Sequence, residues 1–217
     1  MADKDLDATT RDRIIEAAGE SFADRGFEAT TVRDICQRAG ANLAAVNYYF
    51  GDKQRLYVEA VVRAHQWRME RAQLPEWSSG TSAEKKLADF IHTFLRRIRT
   101  GPDGTWHTRL VMREISQPST ACAELVQSSI RPQFEVLSAI LRELLPIETS
   151  EEELHATVFS VVGQCLFYHF ADPVVRNLLS AEEYDELDVE RLAQHITQFS
   201  TAAIKRRAAG KVQGASR

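Results

Sequence analysis

The stretch from Thr31 to Leu56, TVRDICQRAGANLAAVNYYFGDKQRL, leaves this chain few choices of fold. Thr31 is placed to cap a helix, with Asp34 three residues on to complete a capping box, and Val32, Ile35, Cys36 and Ala39 then share one helical face. Gly40 can end that helix in the left-handed conformation, and Asn42 can accept the first free N–H groups of a second helix from Leu43 to about Phe50. Two short helices meeting across a turn of about three residues make a helix-turn-helix. Gly51-Asp52 then breaks and caps again, and Lys53 opens the next helix.

The helix from Leu43 turns Val46 and Phe50 inward and leaves Leu43, Ala44, Ala45, Asn47, Tyr48 and Tyr49 on its other faces. An ordinary surface helix would carry Glu and Lys there. Small side chains let a backbone approach a groove floor, an amide can bond two base-edge atoms, and phenol hydroxyls can donate to phosphate oxygens. Packing in a bundle core is the competing explanation for Tyr48, Tyr49 and Phe50. Neighbours on a helix point about a quarter-turn or more apart, so all three cannot face one core.

These residues resemble the TetR-type transcriptional regulators over Thr10 to about Leu56. The resemblance is carried by Ile14, Ala18, Phe22, Gly26-Phe27, Thr30-Thr31-Val32, Ile35, Ala39-Gly40, Tyr49-Phe50, Lys53 and Leu56 at fixed offsets. It implies DNA contacts from Thr31 and Arg33 on the second helix, from Leu43, Ala44, Ala45, Asn47, Tyr48 and Tyr49 on the third, and from Lys53 at the start of the fourth. The chain departs from many members at Ala44-Ala45, where they carry Gly-Thr, and at Asn47, where they carry a phosphate-binding tyrosine. The hydroxyl contacts of those positions are not carried over with the resemblance, which leaves Asn47 to read a base or nothing.

At 217 residues, 44% hydrophobic and 27% charged, the chain is long enough to bury a core of its own, in up to two domains. Its formal net charge of −4 argues against a general coat of nucleic-acid affinity, so DNA binding has to come from a local patch. Through Ala60 the basic residues are Lys4, Arg11, Arg13, Arg25, Arg33, Arg38, Lys53 and Arg55, outnumbered by acidic ones. Geometry and a two-fold dimer must therefore do more than charge. Three scattered cysteines, Cys36, Cys122 and Cys165, indicate neither a zinc site nor a disulfide framework and read as small buried hydrophobes. The acidic, polar start carries no signal peptide, and the longest apolar run, Ala156 to Ala171, is too short to span a bilayer, so a cytoplasmic location is expected.

The opening helix, about Thr10 to Ala23, has Ile14, Ala18 and Phe22 on one stripe and should brace the helix-turn-helix, with Arg11 or Arg13 able to touch a phosphate. The helix from Lys53 continues past Trp67 to about Ala72 and reads as a rigid lever, with a turn-rich linker from Pro75 to Ser82. Thr81 and Glu84 can box the next helix, which ends near Gly101-Pro102; Trp106 to Ile115 follows. A segment from about Ala121 to Leu145 should bend near Pro132, Ser150 and Glu153 start another helix, and a last one runs from about Tyr184. The fold class is all-α: an N-terminal three-helix helix-turn-helix domain over 1–56, with the start of a connecting helix, a helical ligand-binding and dimerisation domain over 57–207 and a flexible basic tail over 208–217. The segments REISQPSTACAEL and RPQFEVL look similar to TetR-type members with a CecR-like C-terminal domain.

Two features of the second part bear on function. The helix from Glu151 to Phe170 is apolar on nearly all sides at its C-terminal half, and the last helix has apolar offsets suited to a four-helix bundle across a two-fold axis. Val162, Leu166, Phe170, Leu192, Ile196, Phe199 and Ala203 are the expected dimer interface. A ligand pocket between the middle helices would draw on Trp67, Phe94, Trp106, His107, Met112, Phe134, Phe159, Gln164, Phe167, Tyr168 and His169, which join apolar bodies to polar tips. No metal or cofactor is implied by the histidine spacing, and no phosphate loop, nucleophile elbow or paired catalytic motif points to an enzyme. The sequence thus reads as a homodimeric, ligand-responsive DNA-binding regulator, a repressor by resemblance, acting on a palindromic operator and released by a small-molecule effector. The alternative is an all-helical small-molecule-binding or adaptor protein without specific DNA binding.

Overall fold

The structure, a computed structural model, describes residues 2–99 and 105–214, and the side chains of residues 10–99 and 105–207. Among the described residues the regular structure is helical throughout, as the periodicity predicts, and it divides into two compact units. The first comprises Met1–Arg71 and Thr100–Arg131, and the second Ala72–Arg99 and Pro132–Arg217.

The first unit contains α1 (Ala2–Ala29), α2 (Val32–Ala39), α3 (Leu43–Phe50), α4 (Lys53–Arg71), α6 (Trp106–Ser116) and α7 (Ala121–Leu125). The boundary expected after residue 56 falls inside α4, which is continuous. Leu56, Tyr57, Ala60, Val61 and Ala64 give α4 a long buried stripe, and α1 and α6 are the helices that cover it. Ile14, Ala18 and Phe22 of α1 are buried as their spacing predicts. The helical conformation of α1 is interrupted at Gly26, where φ is +80°, a value side chains with a Cβ rarely adopt, and Phe27 folds back against Phe22 and Tyr57.

Three rings bind α6 to α4. The His107 imidazole stacks on Trp67 at 4.0 Å and on Trp106 at 3.7 Å, while the Trp106 indole N–H donates to Glu16 of α1 at 2.6 Å. Burial pushes the His107 ring down to about 4, with Arg63 and Arg71 adding to the shift. A depressed value in the folded state means the unfolded chain takes up its proton first as pH falls. The stability His107 contributes is complete above its ordinary 6.5 and is lost as pH drops towards 4. His107→Phe, which keeps a ring in the stack, should therefore remove up to about 3 kcal/mol of the stability difference between pH 7 and pH 4 in urea titrations. Parallel wild-type and variant curves would contradict this.

The second unit contains α5 (Ala83–Ile98), α8 (Arg131–Leu144), α9 (Glu151–Phe170), α10 (Asp172–Leu178), α11 (Ala181–Asp185) and α12 (Val189–Gly214). Leu87, Ile91 and Leu95 of α5, Leu154, Val158 and Cys165 of α9 and Leu192, Ile196 and Ile204 of α12 are buried core. Several local expectations shift. Ser82 rather than Thr81 caps α5, accepting from the Lys85 N–H at 3.3 Å, and the stop expected at Gly101-Pro102 lies outside the described residues. Near Pro132, where a bend is expected, the helix carries a π-helical turn at Val126–Ile130, two residues ahead of a proline with no N–H to offer the carbonyl four back. The single last helix from Tyr184 is instead α11, opened by a Ser180–Glu183 capping box, and then α12, whose backbone stays helical to Gly214 through most of the expected tail. Residues 215–217 of that tail lie outside the described residues.

Candidate nucleic-acid interface

Local sequence builds the helix-turn-helix as its caps dictate. The Thr31 hydroxyl accepts from the Asp34 N–H at 3.2 Å, and hydrogen bonds from Thr31, with Arg25 adding, hold the Asp34 carboxyl below its ordinary range. Gly40 ends α2 with φ +59°, where a residue with a Cβ would be strained, and the Asn42 side chain accepts from Ala45 N–H at 2.8 Å to start α3. Gly51 follows α3, and the Asp52 carboxylate accepts from Arg55 N–H at 2.8 Å to start α4. Val46 and Phe50 are buried, whereas Leu43 and Tyr48 are 57% and 77% exposed, and Ala44 and Asn47 are exposed with them. Ala45 and Tyr49 are half-buried, and the Tyr49 ring stands edge-on to Tyr48 at 5.0 Å. Thr31, which caps α2, and Arg33 in its first turn are exposed. An isolated fold has no use for so apolar an outer face.

The basic residues of the head are mostly committed within it. Arg11 pairs with Glu59 and lies over the Phe50 ring, Arg25 pairs with Asp34 at 3.1 Å, and Arg38 pairs with Glu20 at 2.8 Å. The Lys53 ammonium sits 4.3 Å from the centre of the Phe27 ring. Arg11 is thereby placed as a brace between helices rather than as a phosphate ligand. Surface pairs of this kind add little stability, but they leave the head with a small net attraction for DNA.

The remaining sequence candidates divide between the units. Trp67, Trp106, His107 and Met112 belong to the first, with Trp106, His107 and Met112 buried in its packing. Phe94, Phe134, Phe159, Gln164, Phe167, Tyr168 and His169 belong to the second. Of these, Gln164, Phe167 and Tyr168 line one groove of about 360 Å³ with Gly163, His195 and Ile196. A second groove of about 220 Å³ runs between α9 and α12 from Ala156 to Arg207 and is also lined by Gln164, whose amide donates to Ser200 Oγ at 3.3 Å. The Phe134 ring lies tilted against Phe159, with centres 6.0 Å apart. Leu192 and Ile196, expected at a dimer interface, are only 2% and 1% exposed because α5 and α9 cover them. Phe199, Phe170, Phe159, Phe167 and Ala203 stay exposed, and Val162 and Leu166 half-buried.

Comparison with known proteins decides what the head belongs to. A family model described as the C-terminal domain of the HTH-type transcriptional dual regulator CecR matches residues 83–204, more than half of the chain, and one described as bacterial regulatory proteins of the tetR family matches residues 1–60. The chain belongs to the TetR family. It is 23% identical over 195 residues to the transcriptional dual regulator CecR of Shigella flexneri, covering 85% of this chain and 86% of that one. It is 32% identical over 87 residues to the transcriptional repressor KstR2 of Mycolicibacterium smegmatis, 40% of this chain and 42% of that one. A crystal structure of a TetR-like transcriptional regulator from Rhodococcus sp. RHA1 superposes with a TM-score of 0.63 at 19% identity, covering 88% and 93% of the two chains, a likeness that shows the fold. As a TetR-family protein the chain is a helix-turn-helix transcriptional regulator and not an enzyme.

Sequence reading of this TetR-family regulator missed Glu114. A signal was present: 107, 110, 111 and 114 share one helical face, so a carboxylate falls on the buried stripe of α6. Glu114 is fully buried and accepts hydrogen bonds from Tyr57 and Ser119. Among the described residues no single helix is long and apolar enough to cross a membrane.

Proposed function

We propose that this protein is a homodimeric, ligand-responsive repressor that holds a palindromic operator with two copies of the α2–α3 head. The exposed Leu43, Ala44, Asn47 and Tyr48 on α3 carry this reading, because small, amide and phenolic side chains fit a groove floor and these four lie outside the buried core. Asn47 reads a base edge, Leu43, Ala44 and Ala45 allow close approach, and Thr31, Arg33, Tyr48, Tyr49 and Lys53 meet the backbone. Phe159, Phe170, Phe199 and Ala203, flanked by Val162 and Leu166, supply the dimer contact. An effector occupies the second unit near Gln164, Phe167 and Tyr168, where a groove offers aromatic walls and an amide. A release of about 100-fold in operator affinity requires only about 2.7 kcal/mol of coupling. The protein works in the cytoplasm, where its operator is.

The test is fluorescence anisotropy on DNA from beside the protein's own gene, with unlabelled random DNA as competitor. Asn47→Ala combined with Tyr48→Ala should weaken specific binding by about 30-fold or more while leaving the melting temperature unchanged, since both side chains are exposed. Wild-type binding no tighter than to random DNA, repeated on a randomised palindrome pool, would replace this reading with that of a helical ligand-binding protein.

A further inference from the structure

The last turn of α6 and the corner after it are tied to the head by contacts that neither base reading nor ligand binding uses. Glu114 accepts the Tyr57 hydroxyl at 2.8 Å, the Ser119 N–H at 2.8 Å and the Ser119 hydroxyl at 3.0 Å on both carboxylate oxygens. The same corner reaches α4 again through the Gln54–Thr120 hydrogen bond. Gln54 and Tyr57 are three residues apart and therefore neighbours on one face, so the first two turns of α4 are held at two points. Arg113 packs its guanidinium against Gly26, where an added Cβ would overlap it.

The constraint continues outward from Tyr57. Its ring stands edge-on to Phe27, with centres 5.2 Å apart and planes at 72°, and the far partner of Phe27 is the Lys53 ammonium at 4.3 Å. Burial first, and Glu114 second, push the Tyr57 hydroxyl well above its ordinary range, so it stays protonated and stays a donor. A fully buried carboxylate costs desolvation that an apolar side chain at 114 would avoid. Its three donors offset that cost while fixing the tyrosine's orientation, which an apolar residue could not do.

We propose that Glu114 is a positioning residue for the DNA-binding head: through Tyr57 and Phe27 it fixes where Lys53 presents its charge to a phosphate. This rests on the operator-binding reading above. The role is distinct from stability, because it acts on one phosphate contact per head and through one chain of side chains.

Anisotropy titrations at several salt concentrations, on the DNA that the wild-type protein binds, test it with Glu114→Gln, Tyr57→Phe, Lys53→Ala and the Glu114→Gln, Lys53→Ala pair. Glu114→Gln and Tyr57→Phe should each weaken binding about 5- to 10-fold and flatten the salt dependence towards that of Lys53→Ala, by roughly 0.9 in log–log slope per lost phosphate contact. In the Lys53→Ala background Glu114→Gln should add less than about 2-fold, since both act on one contact. Should Glu114→Gln fail to fold, Tyr57→Phe, which keeps the ring and loses only the hydroxyl, carries the same expectation. Variants with lowered melting temperature but wild-type affinity and slope, or Glu114 and Lys53 effects that multiply in full, would overturn the proposal. A wild-type protein that binds DNA without salt dependence would sink the operator reading itself; wild-type binding kept by Glu114→Gln and Tyr57→Phe while Lys53→Ala is weakened would sink only the role of Glu114.

Discussion

Phe199→Glu is expected to leave the protein folded, make it monomeric and weaken its hold on a palindromic operator by about 100-fold or more. Phe199 is 62% exposed on α12, so a charge there costs the protomer little. In the proposed dimer the same position meets Phe159 and Ala203 or their copies, and a carboxylate among them is buried unpaired. Loss of the partner removes the second head, and with it the effective concentration that converts two weak half-site contacts into one strong one. Leu192→Glu is the informative contrast. Leu192 is covered by its own unit, so that variant should fail to fold rather than fail to pair. Sedimentation equilibrium with anisotropy on the same samples separates these outcomes. A Phe199→Glu protein that remains dimeric with unchanged affinity would place the interface on another face.

Gly19→Ala should destabilise the protein by about 3 kcal/mol, at the high end for one added methyl group. Gly19 lies in the buried face of α1, and a Cβ built on it overlaps the ring of Trp106. That ring cannot move aside cheaply, because its N–H is held by Glu16 and its face is stacked on His107, which in turn is stacked on Trp67. In a helix interior alanine would otherwise be favoured over glycine by about 1 kcal/mol, so a net loss understates the packing cost by about that amount. Urea unfolding of the wild type, Gly19→Ala and the pair Gly19→Ala, Trp106→Leu tests it. The pair should recover part of the loss that Gly19→Ala alone incurs; a Gly19→Ala protein as stable as the wild type would show that α1 and α6 do not approach this closely.

The head was legible in the sequence because its signals are local. Thr31, Gly40, Asn42 and Asp52 each act on a backbone group within a few residues, and the bounds of α3 follow from them without tertiary knowledge. The inward direction of Val46 and Phe50 followed from period alone. What lay beyond reach were contacts between distant segments. Glu114 and Tyr57 are separated by 57 positions, and Trp106 and Glu16 by 90, so only the fold brings them together. The same limit explains Leu192 and Ile196: a heptad-like apolar stripe looks the same whether it faces a partner or its own core, and α12 buries these two in its own unit while Phe199 stays exposed. The short α10 and α11 escaped because seven- and five-residue helices hold too few turns to show a period.

The most direct measurement is selection of duplexes from a fully randomised pool by the wild-type protein, followed by sequencing of the bound fraction. Two α3 helices related by a two-fold axis should enrich an inverted repeat whose half-site centres lie one helical turn, ~34–36 Å, or a multiple of it, apart. The Asn47→Ala, Tyr48→Ala protein should enrich nothing in the same selection. An enriched site without two-fold symmetry, or the same site enriched by that variant, would contradict recognition by a paired α3.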